Sequence, residues 1–475
     1  MRGAKKAPSV VEEFAGARLG DSRRSDRLVK IASVLEEDPS VGFPRAMRSD
    51  AELEAFYRFI NSDSFSAEAI LAPHVEATMA RAEEARLVLV LHDTTFAEFP
   101  GDALRKGMGI TTTRNRQGFL AHCSLLLAQN DATPLGIGHV QTLTRSGDKW
   151  RKRGNRAQIE KGDPKRESQR WLTAVQAIEA RAKDRFETIH VTDAEGDFFE
   201  FMAQMQSAGT RFVVRAGRLN RVLDSPEGKA SLRSVIDEIP ASFQREIEIG
   251  KRRFDRQKKG RNSRRSHPPR EARRATVSIS ATRIRVRLPR YVRAVGEPFE
   301  VNVVRVWEQN PPHGETAIEW VLLTTENISS ESEIAAVVDI YRKRWVIEDF
   351  FKALKTGCSL EKRQVTSYEA MRKVLSLLAP LAFRLLLYRG LERQSSDAPA
   401  NRLFDEVDLV LLARGQRTPA PPPRTTADAL ALLARMGGHI RNNGPPGWMT
   451  LGAGLEKLLT LKLGWRLSRQ IPNEM

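Results

Sequence analysis

Four polar side chains recur at helical spacing in the stretch DIYRKRWVIEDFFKALKTG, residues 339–357. An ideal α-helix turns by about 100° per residue, which places these four within an arc of about 60°, apart from the apolar face. They are Tyr341, Arg344, Glu348 and Lys355. One carboxylate among a phenol, a guanidinium and an ammonium is typical of a site that binds phosphate groups around a metal ion. A surface salt bridge between Arg344 and Glu348 is the simpler interpretation, and it explains two of the four residues.

Two further carboxylates stand where apolar strands are predicted to end. Asp93 ends the run ARLVLVLHD, and Asp193 follows FETIHVT. If the two strands are neighbours, both side chains emerge at one edge of an α/β sheet, where such folds place their sites. With Glu348 they would form a set of hard oxygen ligands suited to Mg²⁺, and two such ions support displacement at phosphorus. An aspartate after a strand also commonly caps a turn, so this alternative stays open.

The elements that must position these residues change in type along the chain. The first sixty residues have helical periodicity and a basic patch that includes Arg27. A mixed α/β pattern begins near Leu87, and a strand-rich stretch follows Asp193. The run from Lys251 to Arg274 is predicted to be a flexible basic loop between two strands. Beyond residue 357 comes an apolar helix that we expect to break near Pro380, then a Pro-rich linker and a last helical segment.

Composition narrows the class of partner. The chain has 475 residues, a net charge of +18 and a pI of about 10.1, which favours a polyanion such as nucleic acid. A basic protein at a membrane surface is the competing interpretation, but the sequence has no apolar run long enough to span a bilayer. Its first residues, MRGAKKAPSVVEEF, also lack the apolar core that we expect of a signal peptide. The two cysteines, Cys123 and Cys358, provide neither a disulfide framework nor a zinc quartet, so we expect a reducing cytoplasm.

The pattern Y-(2)-R-(3)-E-(6)-K resembles the YREK signature of the insertion-sequence-four family of bacterial cut-and-paste DDE transposases. The motifs HDTT around Asp93 and VTDAEGD around Asp193 resemble that family in the same order. So do the N-terminal segments ARLGDSRRSDRLVKIA and AFYRFINS and the late segment LARMGGHIRNNGPPGW. The resemblance covers nearly the whole chain.

This resemblance implies an α/β fold with an RNase H-like catalytic core. Residues 1–66 would be a helical DNA-binding domain and residues 67–394 the catalytic domain, with a β-rich insertion at about 203–330. Residues 395–475 would be a helical dimerisation domain. Asp93, Asp193 and Glu348 would be catalytic and would bind two Mg²⁺ ions, for which Mn²⁺ would substitute.

The resemblance also implies a set of DNA contacts. Tyr341, Arg344 and Lys355 would grip phosphates around the cleaved end, and Trp320 would stack on a base flipped out of the duplex. An ordinary core tryptophan at a strand edge is the alternative for Trp320. Three arginines match other DNA-contacting positions: Arg215, Arg27 and Arg58.

The implied reaction is cut-and-paste transposition by a homodimer in a synaptic complex. It would bind double-stranded DNA at transposon inverted-repeat ends, cleave through a hairpin, and join the 3′-OH ends to target DNA. We expect it in the bacterial cytoplasm, at the nucleoid. A nuclease or resolvase of the same fold without strand transfer, a catalytically idle DNA-binding protein and a basic structural protein remain as alternatives.

Overall fold

The computed structural model describes most of the chain, in ten segments. These are residues 9–37, 39–100, 104–110, 116–145, 167–225, 228–250, 271–289, 297–394, 397–439 and 448–469. The chain folds into two compact units: Met1–Glu187 with Trp345–Met475 form the first, and Thr188–Arg344 form the second.

Fourteen α-helices occur in the described residues, and ten of them begin the first unit or lie in its C-terminal part. In chain order they are α1 Val10–Phe14, α2 Ser22–Glu37, α3 Phe43–Ala46, α4 Asp50–Ile60, α5 Ala67–Ala85, α6 Gln169–Ala182, α7 Phe199–Ser207, α8 Leu232–Glu238, α9 Glu331–Arg342, α10 Val346–Lys352, α11 Tyr368–Gln394, α12 Glu406–Arg414, α13 Thr426–Met436 and α14 Trp448–Ser468. Local sequence sets several of the starts. Ser9 and Glu12 form a capping box at α1, and Ser49 and Ser66 cap α4 and α5 through their hydroxyls.

Twelve strands occur in the described residues. They are β1 Leu87–Pro100, β2 Gly109–Ile110, β3 Arg116–Ala128, β4 Pro134–Leu143, β5 Glu187–Thr192, β6 Phe212–Arg215, β7 Val222–Ser225, β8 Gly228–Ser231, β9 Phe243–Ile249, β10 Arg273–Val286, β11 Phe299–Trp307 and β12 Glu319–Thr324.

In the first unit β3 is the central strand. It pairs antiparallel with β1 along its whole length, and with β4 and the short β2 on its other side. Every residue of β3 after Arg116 is buried, which is typical of a strand covered on both faces. Helices α5, α6 and α11 pack against β4.

The second unit holds a mixed sheet. β5 and β6 are parallel, and the order continues antiparallel through β12, β11, β10, β7 and β8, with β9 also pairing β10. The expected strand-rich stretch after Asp193 is therefore present. The predicted basic loop 251–274 lies outside the described residues except for its last four, of which Arg273 and Arg274 already belong to β10.

The break expected in the apolar helix near Pro380 is wrong. Helix α11 runs from Tyr368 to Gln394 with Pro380 inside it. A proline removes one backbone hydrogen bond, but the flanking residues 377–382 are buried side chains or the proline itself. Tertiary packing of both neighbouring turns therefore outweighs the local cost.

The sequence predicted one ideal α-helix over residues 339–357, and this prediction is wrong. The stretch is a succession of different helical types. After α9 comes a 3₁₀ turn, Lys343–Trp345, then α10, then a π-helical turn, Ala353–Gly357. The Cys358 N–H donates to the Ala353 carbonyl five residues back, at 2.8 Å. Because each type turns by a different angle, the 100° wheel does not describe this segment. Its apolar residues remain buried: Ile347, Phe350, Phe351 and Leu354.

Candidate functional site

Asp93 does not end its strand, contrary to expectation. It lies in the middle of β1 opposite Cys123, and the pairing continues to Pro100 opposite Arg116. Residues 88–92 are fully buried, whereas residues 93–96 are half-buried. Asp93 therefore begins a half-buried stretch inside the strand and does not end it, because Ala97 and Phe99 are buried again. Burial raises the pKa of the Cys123 thiol, and the nearby charge of the Asp93 carboxylate raises it further.

A hydrogen-bond network surrounds Asp93. The Thr94 N–H donates to Asp93 Oδ1 at 2.7 Å, and the Thr94 hydroxyl accepts from Arg170 Nε at 2.9 Å. The same hydroxyl lies 2.9 Å from His122 Nδ1. Burial, followed by the charge of Arg170, lowers the pKa of His122 well below its ordinary value, so this imidazole is neutral. Sequence reasoning missed Arg170 and His122, although Thr94 stands in the HDTT motif that it used.

Glu348 and Lys355 come to the same strand within the first unit. Helix α10, which carries the half-buried Glu348, packs against β1. The Lys355 ammonium donates to the Phe96 carbonyl of β1 and pairs with Glu361 at 3.2 Å. Phe96 is three residues beyond Asp93, so the first unit brings Asp93, Glu348 and Lys355 to one strand.

Asp193 occupies the expected place in the second unit. It follows β5 directly and caps the 3₁₀ turn Ala194–Gly196, with its Oδ1 accepting from the Glu195 N–H at 2.9 Å. The turn-capping role and a role in a site use different oxygens of one carboxylate, so they are compatible.

Asp197, four residues later, is a second carboxylate that sequence reasoning missed. It is buried and accepts from the backbone N–H groups of Gly217 and Arg218, each at 2.8 Å. It is also paired with the Arg221 guanidinium. Asp197 thereby fixes the loop that follows β6, the strand that ends at Arg215. Asp197 is the last residue of the motif VTDAEGD, and this position could have identified it from the sequence.

Trp320, Tyr341 and Arg215 meet on one face of the second unit. Arg215 pairs with Leu322 across β6 and β12, so it shares a face with Trp320, two residues along β12. The ring of Tyr341, on α9, meets Trp320 edge to face at 5.8 Å between centroids. Tyr341 is 2% exposed and Arg344 5%, whereas Trp320 and Arg215 are half-buried. The buried Tyr341 ring therefore packs against the less buried Trp320 ring and holds it in place.

The two remaining predicted contacts lie among the N-terminal helices. Arg27 is half-buried on α2. Arg58 is exposed on α4, where it forms a weak pair with Glu54 at 3.7 Å. The Arg58 side chain is therefore exposed at the surface of the first unit, whereas Arg27 is only partly so.

Comparison with protein families matches two parts of the chain. A family described as "Transposase DNA-binding" matches residues 8–65, and one described as "Transposase DDE domain" matches residues 165–382. The chain contains a transposase DNA-binding domain and a transposase DDE domain. Together these two domains support a DNA transposase, with DNA as its partner, and the mixed sheet with its helices is consistent with a DDE domain.

The matched ranges divide the predicted site residues. Asp193 and Glu348 lie within the DDE match, Arg27 and Arg58 within the DNA-binding match, and Asp93 outside both. DDE transposase domains generally use divalent metal ions. In the described part of each unit, no three His, Cys, Asp or Glu residues converge closely enough to hold one. Among the described helices, none has the length and apolarity needed to cross a bilayer.

Proposed function

We propose that this chain is a cut-and-paste DNA transposase of the insertion-sequence-four type, acting on inverted-repeat ends as a homodimer. The observation that carries the proposal is the packing of α10, with Glu348, against β1, with Asp93, in a chain that has a matched DDE domain. Lys355 reaches the same strand at Phe96. The segment with the YREK pattern thus contacts the strand that carries the first aspartate, which supports a shared site.

Three carboxylates of suitable chemistry would hold a pair of magnesium ions in the proposed complex with DNA. Asp93, Asp193 and Glu348 are half-buried carboxylates, and oxygen donors with partial solvent access are what Mg²⁺ prefers. When bound, the ions would activate the attacking oxygen and stabilise the leaving oxygen. The chain itself orients two of the carboxylates, through the N–H groups of Thr94 and Glu195.

Residues of the second unit would hold the DNA end. Arg215 and Trp320 share a sheet face, so a guanidinium for a phosphate lies beside an aromatic surface for an extruded base. Tyr341, which is 2% exposed, would support this grip by holding the Trp320 ring in place, and the buried Arg344 would act behind the same surface.

Water would cleave one strand at the transposon end and free its 3′-OH. This 3′-OH would attack the opposite strand, which forms a hairpin and releases the flanking DNA. A second water would open the hairpin and regenerate the 3′-OH, which would then attack a target phosphodiester and release a target 3′-OH.

Carboxylate substitutions test the assignment. Glu348→Gln and Asp193→Asn should each lower the rate of Mg²⁺-dependent nicking on the order of 10³-fold, because metal-held charge stabilisation supplies several kcal/mol of barrier lowering. Binding to a duplex that carries the inverted repeat flanking the gene should persist. The exposed Asp184 gives a matched control, Asp184→Asn, which should nick normally. Undiminished nicking by either site variant would falsify the catalytic assignment.

Product analysis separates the proposal from a nuclease or resolvase of the same fold. A duplex that carries this inverted repeat and adjoining DNA, labelled at the 5′ end of the transferred strand and incubated with Mg²⁺ and supercoiled plasmid, should yield a labelled hairpin intermediate and label joined to the plasmid. Nicked ends without joined product, at any protein concentration, would leave the nuclease interpretation in place of transposition.

A further inference from the structure

A single buried guanidinium joins the DNA-binding domain to the segment that carries Lys355. Arg363 is 1% exposed and lies in the first unit. Its Nη atoms donate to the carbonyls of Pro39 and Val41, in the connection between α2 and α3. The same guanidinium donates to the Cys358 carbonyl at 2.7 Å, one residue beyond the π-helical turn Ala353–Gly357.

The chemistry of this contact requires arginine. Burying a cation is costly unless partners offset its lost hydration, and here three carbonyls and the ring of Phe43, whose centroid lies 4.8 Å from the guanidinium carbon, surround the Nη side of the group. A planar fork with five N–H donors reaches carbonyls of two segments at once, whereas a lysine ammonium presents one point of charge. The position is therefore built to hold two segments in one fixed relation.

Further cations make the same connection around Arg363. Each lies on α11 and contacts the N-terminal helical region through a carbonyl or a carboxylate. They are Lys373 with the Ser62 carbonyl and the Phe65 ring, Arg384 with Glu36, and Arg372 with Glu68. The N-terminal helical region is thus docked on α11 at several points.

We propose that Arg363 is a positioning residue that fixes the DNA-binding domain against the Glu348–Lys355 segment, so that the protein cuts at a set distance from the sequence it recognises. The proposal rests on the proposed function. A domain on a flexible tether would bind the end without selecting one phosphate. When the domain is held in place through Arg363, the position of the bound sequence determines which phosphate is cleaved.

The DNA-side test uses the unchanged full-length protein. The substrates are duplexes that carry the inverted repeat flanking the gene. About 5 or about 10 base pairs, half a helical turn or one turn, would be inserted between the sequence that the protein protects in footprinting and the phosphate that it nicks. We expect the nick to stay at its distance from the protected sequence and hence to leave the original phosphate. Nicking at the original phosphate in both inserted duplexes would contradict a fixed register.

The protein-side test uses Arg363→Lys, with the exposed Arg414→Lys as control. On the unmodified duplex we expect nicks spread over neighbouring phosphates for Arg363→Lys, with unchanged affinity for the end, and one nick for the control. A single nick position in Arg363→Lys would overturn the assignment.

A readout independent of cleavage separates failure of this inference from failure of the proposed function. In full-length Arg363→Lys, backbone amides of residues 43–47 should exchange roughly tenfold faster than in the wild type, while those of β3 stay protected. Loss of nicking in the wild type would count against the proposed function alone. Unchanged exchange at residues 43–47 would count against the clamp alone.

Discussion

Buried charges in this protein hold backbone segments in place. Asp197 gathers two N–H groups and the Arg221 guanidinium behind the loop after β6. Arg170 reaches the hydroxyl beside Asp93, and Arg363 gathers three carbonyls. A buried charge is expensive unless its partners are complete, so each of these groups is a point where one substitution has a large effect.

Asp197→Asn should lower the free energy of unfolding by about 3 kcal/mol, because it leaves the Arg221 cation buried without its counter-charge. The amide keeps the shape of the side chain, so lost packing does not explain the effect. Urea unfolding followed by tryptophan fluorescence measures it, with the exposed Asp184→Asn as reference. Equal midpoints for the two variants would show that the Asp197 pair contributes nothing net.

The cluster of Glu13, His74 and Arg81 predicts acid sensitivity. Burial lowers the pKa of His74 from 6.5, against the opposing effect of Glu13. Burial would raise the pKa of Glu13, but His74 and Arg81 outweigh it and lower the value from 4.5. Both folded-state pKa values are depressed, so both contributions to stability are present at neutral pH and are lost on acidification. The His74 contribution falls first, below pH 6.5, and that of Glu13 below pH 4.5.

The histidine part is tested by melting temperature against pH. Wild type should lose stability between pH 6.5 and 4.5, whereas His74→Gln, which cannot take up a proton, should have a lower but flatter profile there. His313, which lies in an exposed loop, provides the control His313→Gln, with a profile parallel to the wild type. A His74→Gln profile as steep as that of the wild type would assign the acid sensitivity to other groups.

At the scale of elements, the sequence pattern predicted those features that depend on residues close together in the chain. The apolar run at the start of β1 and the position of Asp193 after β5 followed from the hydrophobic runs in the sequence. The extent of β1 past Asp93 did not, because it depends on pairing with β3. The docking role of Arg363 was equally out of reach, since its partner Val41 is 322 positions away in the sequence. Long-range partners decide these features, and a single sequence does not display them.

The capping box of α9 offers an element-scale prediction. The Ser330 hydroxyl accepts from the Glu333 N–H, and Glu333 Oε2 accepts from the Ser330 N–H at 3.0 Å. Ser330→Ala should destabilise the start of α9 by about 1 kcal/mol, which is about fivefold faster amide exchange in its first turn. Ser329→Ala is the control, because that exposed residue contributes its backbone N–H to Glu333. Equal exchange in the two variants would remove the cap as a determinant of α9.

At the scale of the whole molecule, the net charge of +18 governs how the protein meets DNA. Phosphate contacts release condensed counterions, so affinity falls linearly with salt on logarithmic axes, with a slope set by the number of contacts. Most of this binding is independent of sequence. The contribution of the N-terminal domain is therefore measured as a change in slope, and not as affinity at one salt concentration.

Arg58→Ala should weaken binding to the duplex that carries the inverted repeat and reduce the salt slope by about 0.9, the value for one lost phosphate contact on double-stranded DNA. The reason is that Arg58 is 72% exposed in its side chain and its pair with Glu54 is open to solvent, so the guanidinium is available to DNA. Arg27→Ala should act in the same direction. Arg181→Ala, on the exposed side of α6 and outside the matched DNA-binding domain, should leave the slope unchanged. Fluorescence anisotropy over a salt series measures all four proteins. If Arg58→Ala and Arg181→Ala changed the slope equally, the cationic surface would act as a whole, and Arg58 would have no place in recognition of the end.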